Sequence, residues 1–96
     1  MSLFIVQHKH SAENCPARDK QMAPMLLKHL SKGNAEQAGI KILSEAVIDG
    51  GHSLHLTLEA SDKESVDRFM QLFAQVGSVE IYAASKCETV VDRGSC

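Results

Sequence analysis

The chain has no tryptophan and only four aromatic residues, three Phe and one Tyr, so aliphatic side chains and methionine must fill most of its interior. No apolar run approaches the ~20 residues that a membrane span requires. The opening Met1-Ser2-Leu3-Phe4-Ile5-Val6 lacks the basic segment and the longer apolar stretch of a signal peptide. It reads as a first strand, and the protein as cytoplasmic. Ten Lys and Arg stand against twelve Asp and Glu, with both signs interspersed. No basic stripe exists to neutralise phosphates, which argues against a nucleic-acid partner. Three cysteines, an odd number, do not make a secreted disulfide framework and are expected to serve as thiols or ligands. Ninety-six residues suffice for one domain spanning 1–96.

What is present is a run of well-punctuated elements. Leu3 to His10 is β-branched and apolar at its start, then polar, and leads into a loop containing Cys15-Pro16. A helical stretch follows from Pro16 to Leu30 in two pieces, with Pro24 in the first turn of the second. Met22, Met25, Leu26, His29 and Leu30 recur at spacings of three and four and form its apolar stripe. With Met70 on the next helix, these methionines read as core, and His29 as a core-edge histidine held by a backbone carbonyl. Gly33 offers a left-handed cap, and Asn34 starts a single turn closed by Gly39. Ile40–Ile48 and His52–Ala60 read as strands joined by Asp49-Gly50-Gly51, a hairpin signal because both glycines tolerate positive φ. Ser61-Asp62-Lys63-Glu64 has the form of a capping box before a helix whose stripe is Val66, Phe69, Met70, Phe73 and Val76. Val79 to Ala84 is the fourth strand. Residues 85–96 form a C-terminal extension that either adds an edge strand or reaches a partner.

The expected order is therefore βαββαβ, an α+β sandwich. Right-handed crossovers give a four-stranded antiparallel sheet ordered 4-1-3-2 with two helices on one face. This architecture resembles that of ferredoxin-like and dimeric α/β-barrel proteins over most of the chain. The resemblance implies a fold that hosts enzymes, metal carriers and regulatory modules alike.

One segment carries suggestive chemistry: His8-Lys9-His10-Ser11-Ala12-Glu13-Asn14-Cys15. Strand period two puts His8 and His10 on one face, and Glu13 or Cys15 can return from the loop. This set suits a transition metal, Zn, Ni, Cu or Fe, with water in any unfilled position. Placing the end of the first strand beside the end of the third and the start of the fourth would add Glu59 and Glu80 nearby. The same imidazoles, which titrate close to neutrality, could instead do acid–base work. Cys15 before a helix could also be a nucleophilic or redox thiol with His8 or His10 as base. His52, His55 and Cys87 form a weaker secondary set, expected at the opposite end of the sheet. The thiol of Cys96 lies at the chain end.

If Leu54, Leu56 and Leu58 face the helices, either Phe4, Val6, His8 and His10 do so as well, or Leu3, Ile5, Gln7 and Lys9 do. Both parities leave aliphatic residues on the open sheet face, which favours a homodimer through that face. The leading functional expectation is a small metal-binding protein. The alternatives are a dimeric α/β-barrel enzyme using histidine on a small molecule, and an interaction or regulatory module without chemistry.

Overall fold

The computed structural model describes residues 1–96 as an α+β fold built on a four-stranded antiparallel sheet. The strands are β1 (Ser2–Lys9), β2 (Lys41–Ile48), β3 (Ser53–Ala60) and β4 (Ser78–Ala84), in the order β2-β3-β1-β4. That is the expected order read from the other edge. Around the strands lie a three-residue 3-10 turn, Pro16–Arg18, and four helices: α1 (Met22–His29), α2 (Lys32–Gln37), α3 (Lys63–Ala74) and α4 (Cys87–Arg93). Beyond the two expected helices, the single turn expected after Asn34 is a longer helix, α2, that begins at Lys32, and α4 is an addition in the place where an edge strand was an option.

Register settles the parity of β1. Phe4, Val6 and His8 pair with Leu58, Leu56 and Leu54 on β3, and with Ala83, Ile81 and Val79 on β4. Paired residues of antiparallel strands share a face. Phe4, Val6, Leu56 and Leu58 therefore form one inner surface, against which Ala35 of α2 and Val66, Phe69, Met70 and Phe73 of α3 are buried. Leu26 of α1 and Leu30 just after it pack on the same core, whereas Met25 is 54% exposed and stands outside the expected stripe. Ile5 and Tyr82 are left on the other face.

The caps differ in detail from the sequence reading. Gly33 lies inside α2 rather than capping α1, and it is Gly39, just after α2, that takes the left-handed φ there. Asn34 closes α1 by donating its side-chain amide to the His29 carbonyl at 2.8 Å. Asp19 satisfies the start of α1, accepting from the amides of Gln21 and Met22 at 2.8 and 3.0 Å. These two hydrogen bonds hold the Asp19 carboxyl below its ordinary value. α3 is capped by Asp62, which accepts from the Ser65 amide at 2.8 Å, one residue beyond the expected Ser61. Asp and Ser are comparable caps, and here the carboxylate also takes the Ser65 hydroxyl.

β2 carries a bulge at Leu43, between Ile42 and Ser44. One extra residue exchanges the faces beyond it. Glu45 and Val47 consequently pair with Leu56 and Leu54 on the inner side, where the helices do not cover them: Val47 is 58% exposed.

Gly77 joins α3 to β4 at φ +152°, where a Cβ would stand 2.1 Å from the Lys9 carbonyl oxygen and 3.0 Å from Nε2 of His8. A backbone oxygen cannot give way. Gly77→Ala is expected to destabilise by on the order of 2–4 kcal/mol. Gly33→Ala, in a helix with nothing within 4 Å of the added carbon, should stabilise by about 0.5–1 kcal/mol. Urea denaturation of the two variants tests this; equal effects would contradict the packing described at Gly77.

Candidate metal centre

β1 runs antiparallel to β3, so its end meets the start of β3, with Lys9 opposite Ser53. One more backbone bond, from the His10 amide to the His52 carbonyl at 3.2 Å, carries the ladder into the hairpin turn. It sets the two imidazoles side by side on the inner face, ring centroids 5.2 Å apart at 73°. His52 has φ +50°, the only non-glycine residue in the left-handed region. That conformation is uncommon for a side-chain-bearing residue and is held here by the turn after Gly50 and Gly51.

The loop after β1 turns back at once. The Asn14 amide donates to the carbonyl and hydroxyl of Ser11 at 3.2 and 3.3 Å. Cys15 then precedes buried Pro16, which opens the short 3-10 turn rather than a full helix. The result brings Cys15 beside both histidines. One ligand atom each from His10, Cys15 and His52 lies within 4.8 Å of the other two. In a tetrahedral site with Zn–N near 2.0–2.1 Å and Zn–S near 2.3 Å, ligand atoms stand about 3.3–3.7 Å apart. Closing by about an ångström on an ion would complete the geometry.

The polar accounting points the same way. Both ring nitrogens of His10 are shielded from solvent and have no hydrogen-bond partner. A buried donor or acceptor left unpaired costs about 1–3 kcal/mol, so such groups normally have a partner. Nε2 of His8 is likewise unpartnered, and the His8 residue is only 2% exposed. His8 stands edge-on to Phe73 and 5.5 Å from the His10 ring, next to the cluster but outside it. Desolvation by burial, and secondarily the neighbouring His10, lower the His8 pKa from its ordinary 6.5, partly offset by the carbonyls of Phe73 and Val76. Desolvation and then His52 lower that of His10.

The expected ligand set is thus redistributed. His10 and Cys15 meet, His52 joins them, His8 stands behind, and Glu13 is exposed and outside the cluster. The secondary set disperses. His55 is on the open face, opposite Gln7, with Nε2 2.9 Å from the Ser53 hydroxyl. Glu59 pairs with Leu3 at the other end of the sheet, and Glu80 pairs with Gln7 on the open face. Cys87 follows β4 beside the start of β1, far along the strand from His52. His29 behaves as expected, its Nε2–H donating to the Phe69 carbonyl at 2.6 Å.

A cleft of about 540 Å³ opens between α1 and the β2–β3 hairpin, and His8, His10, Cys15 and His52 are among the residues that line it. No helix of the chain is long and apolar enough to cross a membrane. Comparison with protein-family models, curated proteins and solved structures found no match.

The lowered histidine pKa values give a pH signature to the metal-free protein. The unfolded chain takes up protons as pH falls through about 6.5, while folded His8 and His10 resist until lower pH. Their contribution to stability is complete above that value and is lost below it. Melting temperature in the presence of a chelator should fall from pH 7.5 to 5.5, and His8→Leu should flatten the slope. A His8→Leu protein with the wild-type slope would contradict this.

Proposed function

We propose that this chain is a small metal-binding protein that holds one transition ion through His10, Cys15 and His52, with a fourth position open to the cleft. The observation that carries the reading is the pair of orphaned nitrogens of His10 beside a thiol and a second imidazole, all within reach of one point. Two imidazoles and a thiolate suit zinc, copper, nickel or iron, and three protein ligands with one open position is the pattern of reactive rather than purely structural zinc. His8, held against Phe73, orients the His10 ring.

The strand order and the burial of α2 and α3 on one face support a ferredoxin-like scaffold. We also propose that a second copy covers the open face, supported by the exposure of Ile5, Ile48 and Tyr82 there. Light scattering at micromolar concentration should then give a dimer, and a stable monomer would remove this part. A cytoplasmic setting would keep Cys15 reduced and available as a ligand. The enzymatic alternative keeps the support of the cleft.

Calorimetric titration with Zn²⁺ and Ni²⁺ tests the site. His10→Ala, Cys15→Ser and His52→Ala should each weaken binding by roughly 100-fold or more, since each removes a direct bond to the ion. His55→Ala and Glu13→Gln should leave it unchanged. Affinity should fall with pH, because thiol and imidazole must shed protons to bind. Wild type and the three ligand variants binding alike would overturn the reading.

A further inference from the structure

The sequence pointed to the histidines but not to the space beside them. α3 packs on β1 and β3, and α1 reaches the same core through Leu26, while the bulge at Leu43 turns Val47 to the inner side, where it stays 58% exposed. The cleft is the gap that results. Its walls are Ala23, Leu26 and Leu27 from α1 and Leu30 just after it, facing Val47 and Leu54 from the hairpin. Its volume, about 540 Å³, falls in the range of small-molecule sites. The lining is mostly apolar, and the metal-ligating cluster stands at its hairpin-turn end. Glu45 and Asp49, both exposed, are the acidic groups on the hairpin wall.

This combination defines a ligand. A divalent ion held by one thiolate and two neutral imidazoles keeps one positive charge. In an apolar setting that charge is best met by a single anionic oxygen. The aliphatic walls ask for an apolar body behind that oxygen, and Glu45, opposite Leu56 and so farther along the hairpin from His52, disfavours a second negative charge at its far end. We propose that the cleft binds a small organic monocarboxylate, its apolar body between α1 and the hairpin and its carboxylate in the coordination position that His10, Cys15 and His52 leave open. The proposal rests on the metal-binding reading above and names what that site takes.

The test is an amide-shift NMR titration of zinc-loaded, full-length protein with hexanoate, hexanol and adipate, after zinc uptake has been measured separately. Hexanoate should saturate in the millimolar range or below, shift the amides of Leu27, Val47 and Leu54, and bind at least about tenfold more tightly than hexanol or adipate, a difference of about 1.4 kcal/mol. Removing zinc should abolish that preference over hexanol. Leu27→Glu, at a wall position 71% exposed and therefore tolerant of change, should weaken hexanoate several-fold and leave zinc affinity as it was. Full zinc uptake with no saturable hexanoate shift would overturn the ligand proposal and leave the metal site standing, with water in its open position. Equal hexanoate binding with and without zinc would also overturn it. A chain that takes up no zinc removes both readings.

Discussion

The antiparallel pairing of β1 with β3 is the constraint on which the site depends. It runs from Ser2 opposite Ala60 to Lys9 opposite Ser53 without a break. The inner face is therefore continuous from the hydrophobic core at Phe4 and Val6 to the imidazoles of His8 and His10. A slip of one residue would carry the whole set to the open face. The single additional bond from His10 to His52 then converts a sheet edge into a place where two rings meet. Gly77 guards the same end from the other side, since only a residue without Cβ lets the chain pass the Lys9 carbonyl and His8.

The architecture was legible because its signals are local. Alternation of Leu54, Leu56 and Leu58, the Asp49-Gly50-Gly51 turn and the stripe of Val66, Phe69, Met70 and Phe73 each report an element from a few adjacent residues. Sheet order followed from handedness and connection length. What was not legible was the parity of β1, where Leu3 and Ile5 look as apolar as Phe4 and Val6. Hydrophobicity alone cannot choose between two apolar sets on a strand; the register with β3 chooses.

The site was half legible for a related reason. His10 and Cys15 sit five residues apart, and a tight turn at Ser11–Asn14 suffices to bring them together. His52 is distant in sequence and arrives through pairing. Antiparallel strand direction alone places the hairpin, not Glu59, beside the end of β1, and applying it to the sequence would have put His52 next to His10. Its φ of +50° had no signal beyond its position after two glycines. The bulge at Leu43, which opens the cleft, left no mark in the composition of β2 either. Glu13 was attractive by spacing, but the turn that returns Cys15 points the intervening residues outward.

The central claim is that His10, Cys15 and His52 bind one ion together. X-ray absorption at the zinc edge, on protein loaded with one equivalent, reports that directly. The account predicts one sulfur scatterer near 2.3 Å and two imidazole nitrogens near 2.0–2.1 Å, with one further light atom at a similar distance. A shell of light atoms without sulfur, in protein whose Cys15 is reduced, would contradict it.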